Sequence, residues 1–68
     1  MTSPAQLWLN DQPVHSTATT VADFIQQQQL SGSFVLALNG HYLSASDYGH
    51  TRLQPGDRLE LLRPIAGG

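Results

Sequence analysis

The chain ends on two glycines, Gly67 and Gly68, and their type and position suggest chemistry. A glycine tail is unbranched, narrow and conformationally free, so it can enter a deep channel and bring its terminal carboxylate to a reagent held by another protein. An α-carboxylate is ionised at neutral pH and resists nucleophilic attack, so it must be activated before it reacts. The alternative interpretation is an ordinary frayed terminus without a function.

The other ionisable and nucleophilic residues form no recognisable catalytic or metal site. His15, His41 and His50 lack metal-ligand spacing and have no cysteine to support them. The acidic residues are not spaced for acid and base catalysis, no serine lies in a Gly-x-Ser-x-Gly turn, and no Gly-x-x-x-x-Gly-Lys loop is present. We therefore predict no catalytic residues and no metal ligands, and we expect another protein to bind any nucleotide involved.

Length and composition limit the class of protein. The 68 residues allow one small domain, residues 1–68, with 65–68 as a flexible tail. Without cysteine, the chain has no disulfide and no thiol of its own, so any sulfur that it handles must be imported. A net charge of −2 disfavours nucleic acid as a partner. The sequence shows no signal peptide and no apolar run that could span a membrane, so we expect a cytoplasmic location.

The three basic residues are all arginines, Arg52, Arg58 and Arg63. Because the chain has no lysine, copies of it cannot be joined to one another through side-chain isopeptide bonds. Attachment of its tail to a lysine of another protein stays open.

The hydrophobic pattern predicts the order strand, strand, helix, strand, strand, short helical turn, strand. The predicted strands are residues 7–9, 13–16, 34–38, 41–43 and 58–63. Thr20 is the predicted N-cap of a helix of about three turns, with Ser31-Gly32 as its stop signal. One sheet with the helix across a single face would bury these apolar stripes.

Turn residues separate the predicted strands. Asn10-Asp11-Gln12 predicts a polar turn that joins the first two strands in a hairpin. Asn39-Gly40 predicts a second hairpin, because both residues tolerate positive φ. Ser44 and Asp47 predict a capped helical or 3₁₀ turn. Gln54-Pro55-Gly56-Asp57 predicts a type II turn that leads into the last strand.

Alternation along the first and last strands places Trp8 and Leu62 on the side of the sheet away from the helix. A large exposed apolar patch on a small protein usually marks a contact with a partner, so we predict a partner-binding surface there. The alternative is that both side chains belong to a crowded core beneath a loop.

Together, this element order, the Pro55-Gly56-Asp57 turn and the terminal Gly67-Gly68 resemble the ThiS family of ubiquitin-like β-grasp sulfur carriers. The resemblance runs from Leu7 to Gly68. It also includes Asn10-Asp11-Gln12, Thr20-Val21, Ala37-Leu38-Asn39 and Ile65-Ala66. It implies an α+β β-grasp fold, in which a mixed sheet of about five strands carries one main helix across one face and ends in a flexible Gly-Gly tail.

The resemblance also implies a function. In this family, a ThiF-like enzyme uses ATP to adenylate the terminal glycine, here Gly68, and sulfur from a persulfide donor converts it into a thiocarboxylate. A ThiG-like thiazole synthase then receives the sulfur in thiamine biosynthesis. Gly67 would give narrow access, and the partner-binding patch would consist of Trp8, Leu62, Ile65 and Ala66. The chain would be a carrier and cosubstrate with no bound cofactor, and not an enzyme.

Three other functions stay open from the sequence. The chain could carry sulfur for molybdopterin or another sulfur-containing metabolite, or its tail could be joined to target proteins as a ubiquitin-like modifier. It could also be a β-grasp interaction module with an inert tail.

Overall fold

The computed structural model describes residues 5–63. The predicted tail, with Ile65, Ala66, Gly67 and Gly68, lies outside the described residues. The elements are β1 (Ala5–Leu9), β2 (Gln12–Ser16), α1 (Val21–Gln27), β3 (Val35–Leu38), β4 (His41–Leu43), a 3₁₀ turn (Ala45–Asp47) and β5 (Arg58–Leu62).

The strands form one mixed sheet in the order β2-β1-β5-β3-β4. β1 and β5 are parallel, whereas the pairs β1–β2, β3–β5 and β3–β4 are antiparallel. The first and last strands of the described chain are therefore neighbours, and β5 occupies the middle of the sheet. The predicted α+β fold, with five strands and one main helix, is confirmed.

The core lies between α1 and one face of the sheet. Leu7, Phe24 and Leu59 form a buried cluster, and Val21 and Leu36 are also fully buried. Val21 and Phe24 are three residues apart on α1, a spacing that places both on one face of a helix. The predicted apolar face of the helix is thus the face that packs on the sheet.

Two loops supply partners for the first amides of α1, which have none within the helix itself. The Thr20 hydroxyl accepts a hydrogen bond from the amide of Asp23 at 3.2 Å, which confirms Thr20 as the N-cap. The amides of Val21 and Ala22 donate to the carbonyls of Thr51 and Tyr48, at 3.0 and 2.9 Å. The segment after the 3₁₀ turn therefore caps the helix and fixes where it begins.

The helix ends earlier than predicted, because Gln29 adopts a left-handed conformation with φ of 56°. The amide of Leu30 donates to the carbonyl of Ile25, and that of Gln29 to the carbonyl of Gln26, each at 3.1 Å. This is the Schellman arrangement, which ends a helix most often at glycine. The helix therefore has seven residues instead of about three turns, and Ser31-Gly32 lies beyond its end.

The predicted turns are present. Asn10 and Asp11 have φ of 50° and 65°, and Asn39 and Gly40 have φ of 51° and 86°, as two-residue type I′ hairpins require. Gly56 has φ of 88°, and the amide of Asp57 donates to the carbonyl of Gln54 at 3.1 Å, in agreement with the type II turn.

Four strand boundaries differ from the prediction. β1 begins at Ala5, two residues before the predicted start, and the other three boundaries differ by one residue. Gln12 belongs to β2, so the first turn consists of two residues rather than three. Phe34 precedes β3 and Arg63 follows β5. Both side chains instead take part in one stack: the Arg63 guanidinium lies over the Phe34 ring, and the Phe34 ring stacks on the ring of Tyr48.

We expect Gln29→Gly to stabilise the protein by about 0.5–1 kcal/mol, because glycine occupies the left-handed region without the steric cost that a side chain imposes. The matched control is Gln26→Gly inside α1, which should destabilise the protein by about 1 kcal/mol. Urea unfolding followed by circular dichroism measures both. A lower unfolding midpoint for Gln29→Gly would contradict the prediction.

Candidate functional site

The candidate site is β5 together with the outer face of the sheet, the face opposite α1. β5 is the last element of the described chain and leads directly to the residues that the sequence singled out. It pairs with β1 on one side and with β3 on the other. Its last paired residue is Leu62, opposite Val35, and Arg63 is the last described residue.

The side chain of Asn10 extends the pairing between β1 and β5 beyond the end of β1. Its Oδ1 accepts from the amide of Leu61 at 2.9 Å, and its Nδ2 donates to the carbonyl of the same residue at 3.2 Å. The backbone amide of Asn10 also donates to the carbonyl of Leu59 at 3.0 Å. This one turn residue thus supplies three hydrogen bonds to β5.

Asn39 holds the other end of β5 in a comparable way. Its Oδ1 accepts from the amide of Arg58 at 2.9 Å, and its backbone amide donates to the carbonyl of Arg58 at 2.8 Å. Its Nδ2 donates to the carboxylate of Asp57 at 3.1 Å. The two hairpin asparagines therefore fix the register of β5 from both sides.

The outer face carries an apolar patch formed by Val35, Tyr42 and Leu62. These side chains are 43%, 71% and 46% exposed. Val35 and Leu62 are directly opposite in the sheet, and Tyr42 is opposite Ala37, two residues further along β3. We call this set the outer apolar patch. Leu62 lies in it as the sequence predicted, next to the end of β5.

Trp8 also lies on the outer face but in a different part of it. Its neighbour across the sheet is Arg58, whose guanidinium carbon is 5.3 Å from the centre of the indole ring. Arg58 in turn forms an ion pair with Asp11 at 3.6 Å. Leu62 follows Arg58 by four residues, or roughly 13 Å along a strand. Trp8 and Arg58 are thus separated from the outer apolar patch, and Glu60 lies between them and Leu62 on the same face.

The acidic side chains near α1 and the 3₁₀ turn form local caps. Hydrogen bonds with Thr19 and then Thr20 lower the pKa of Asp23. The hydroxyl and amide of Ser44 both donate to Asp47 and lower the pKa of that carboxyl. Lowered values mean that the charged forms are favoured in the folded state. This stabilisation is present above the ordinary value of 3.8 and is lost as the pH falls through the lowered values.

Residues 5–63 contain no group of three or more His, Cys, Asp or Glu side chains placed to hold a metal ion. Within the same residues, no helix has the length and hydrophobicity that crossing a membrane requires. Every buried side-chain nitrogen or oxygen of the described chain has a hydrogen-bond partner.

Sequence reasoning missed several residues of this site. Val35 and Tyr42 were not predicted in the patch. The run 34–38 is apolar throughout, so alternation gives no contrast between its two faces, although pairing Val35 with Leu62 would have revealed the patch. Asn10 and Asn39 were predicted only as turn residues. Hydrogen bonds from their side chains to β5 span up to 51 residues and leave no local pattern.

Two comparisons relate the chain to known proteins. The model of the ThiS family matches residues 5–68. The crystal structure of the thiamine biosynthesis protein (ThiS) from Geobacter metallireducens superposes with a TM-score of 0.80 at 22% sequence identity, covering 93% of this chain and 99% of that one. This likeness identifies the fold as β-grasp. A search among curated proteins gave no significant match.

Asn10→Gly should destabilise the protein by about 1–2 kcal/mol, because it removes the side chain that pairs with Leu61 while keeping the positive φ. Asp11→Gly is the matched control at the next position of the same turn. Asp11 also has a positive φ, which glycine adopts without steric cost, and the substitution removes only an exposed ion pair. This variant should therefore be neutral or slightly stabilising. Urea unfolding separates the two, and equal midpoints would contradict a role for the Asn10 side chain.

Proposed function

This chain belongs to the ThiS family, and on that premise we propose that it is a sulfur carrier of thiamine biosynthesis that delivers sulfur from its C-terminal glycine. The observation that carries the proposal is the extent of the family match, which runs through residue 68 and so includes Gly67-Gly68. The fold supports it, because the central strand β5 leads directly toward that terminus. The proposed location is cytoplasmic.

The proposed chemistry has three steps. The Gly68 carboxylate attacks the α-phosphorus of ATP on a ThiF-like adenylating enzyme, which forms an acyl adenylate and releases pyrophosphate. The terminal sulfur of a persulfide donor attacks the acyl carbon, and AMP leaves. A thiol then reduces the resulting acyl disulfide, which leaves a thiocarboxylate on Gly68 and oxidises the thiol and donor sulfurs to a disulfide.

This chain contributes the reacting carboxylate and the surface that partners bind. It has no cysteine, so the persulfide belongs to another protein. It also has no Gly-x-x-x-x-Gly-Lys loop, in keeping with ATP being bound and consumed by the adenylating enzyme. The thiocarboxylate would then be used by a ThiG-like thiazole synthase. On this proposal the chain is a cosubstrate of these enzymes and not itself a catalyst.

The outer apolar patch is the surface that we assign to partner binding. Its three members are large and exposed, and Val35 and Leu62 pair at the end of β5, so a partner that binds there also meets the start of the C-terminal segment. Trp8 and Arg58 would lie at the margin of such an interface. Ile65 and Ala66 would complete it, as the sequence predicted.

The proposed chemistry is tested by the intact mass of the protein after incubation with ATP, a cognate adenylating enzyme and a persulfide source. We expect a gain equal to the replacement of one oxygen by sulfur, and no gain for a chain that lacks Gly68. Gly49→Ala is the matched control, because a Cβ at that exposed glycine meets nothing within 4 Å. It should gain sulfur like the unmodified chain.

The outcomes of this experiment distinguish the other functions. No mass gain with an enzyme that is active on another carrier would contradict the proposal and favour an interaction module. Species of higher mass linked to target proteins would indicate a protein modifier. A mass gain without complementation of a thiazole auxotroph would assign the carrier to molybdopterin or another sulfur-containing metabolite.

Leu62→Gln should weaken binding to the adenylating enzyme by roughly fivefold or more, since it removes apolar area from the centre of the assigned surface. Stability should change little, because the side chain is half exposed. His15→Gln, an exposed position of the same face on edge strand β2, is the control. Isothermal titration calorimetry measures the affinities, and equal values for both variants would contradict the assignment.

A further inference from the structure

We propose that Arg63 is a positioning residue that anchors the start of the C-terminal segment to the loop between α1 and β3. The inference rests on the proposed function, in which that segment must enter a partner enzyme. It also concerns a contact within the free protein that is measurable without any enzyme.

Arg63 lies just beyond the part of β5 that strand pairing holds. Pairing between β3 and β5 ends at Val35 and Leu62, so Arg63 lies one residue beyond the ladder. Pairing between β1 and β5 ends still earlier, at Leu9 and Leu59, and the Asn10 side chain extends it only to Leu61. Strand pairing therefore does not fix the direction in which the chain leaves the sheet.

The side chain of Arg63 supplies the missing contact. Its Nη1 donates to the carbonyl of Ser31 at 2.7 Å, and its guanidinium carbon is 6.0 Å from the centre of the Phe34 ring. Gly32 lies under the guanidinium, with Nη1 3.6 Å from the place that a Cβ would occupy. The arginine is thus held by one charged hydrogen bond and one aromatic face, on a loop that approaches it closely.

The loop that receives Arg63 is itself attached to the fold. The Phe34 ring stacks on Tyr48, with ring centres 6.3 Å apart and planes 12° apart. The carbonyl of Tyr48 accepts a hydrogen bond from the amide of Ala22 in the first turn of α1. The layers Arg63, Phe34 and Tyr48 therefore connect the end of β5 to the helix that covers the core.

The position of this anchor gives it a functional consequence. Gly68 is five residues beyond Arg63, which limits its reach to about 17–18 Å. Fixing Arg63 restricts the directions available to that segment, so less conformational entropy is lost when the segment enters a partner's channel. Loss of the anchor should therefore raise KM for the carrier and leave kcat nearly unchanged, because the chemistry at Gly68 is the same.

The test uses Arg63→Gln, Phe34→Leu, the double variant, and Arg52→Gln as the control that removes the same charge elsewhere. Pyrophosphate release by the cognate adenylating enzyme gives KM and kcat for each full-length chain. We expect KM to rise roughly two- to tenfold for Arg63→Gln and kcat to change less than about twofold. Arg52→Gln should match the unmodified chain.

The double variant distinguishes an anchor from a direct contact with the enzyme. If Arg63 acts through Phe34, the effect of Arg63→Gln should shrink in the Phe34→Leu background. Full additivity would overturn the proposal, because it would assign the guanidinium to the enzyme. An unchanged KM for Arg63→Gln, with an active unmodified chain, would overturn it as well.

Nuclear magnetic resonance of the free protein tests the anchor directly. It needs no enzyme, and it does not depend on the Phe34→Leu variant. The heteronuclear ¹H–¹⁵N Overhauser effect at residue 63 should fall in Arg63→Gln and not in Arg52→Gln. An equal value in both variants would overturn the proposal. If instead the unmodified chain is never adenylated, the proposed function fails, and this measurement still decides whether Arg63 anchors the chain.

Discussion

The position of β5 between β1 and β3 is the constraint on which the rest of the structure depends. A central strand receives hydrogen bonds along both edges, so it is the best-held segment of a small sheet, and here it is also the segment that leads to the C-terminus. A chain of 68 residues without disulfides has little core with which to hold that strand. Asn10 and Asn39 add hydrogen bonds that hold β5. Each side chain bonds to the β5 backbone at a point where the neighbouring strand has already turned away.

The two faces of β5 serve different purposes, and both depend on its register. Leu59 points into the core with Leu7 and Phe24, whereas Leu62 points outward beside Val35. Because side chains alternate along a strand, a shift of one residue would exchange the two faces. It would expose the core leucine and bury the patch. Hydrogen bonds that fix the register therefore protect stability and the candidate binding surface together.

Local signals predicted most of the fold. The Thr20 cap, the Asn39-Gly40 hairpin and the Pro55-Gly56 turn depend on residues close in sequence, and each is present. The helix end was wrong because the left-handed residue is Gln29, a type that rarely adopts this conformation, and the expected signal, Gly32, lies three residues later. The contacts of the asparagine side chains and of Arg63 could not be predicted, since their partners lie between 18 and 51 residues away.

The two arginines at the ends of β5 make contacts to which a guanidinium is better suited than an ammonium. Arg58, at the start of the strand, lies over the Trp8 ring, and Arg63, just after its end, lies over Phe34. A guanidinium is planar and donates in several directions, so it can stack on a ring and bond to a carboxylate or carbonyl at once. A lysine ammonium presents a compact, strongly hydrated charge. Arginine therefore suits both positions, because each guanidinium lies over a ring and also contacts an oxygen, that of Asp11 for Arg58 and that of Ser31 for Arg63.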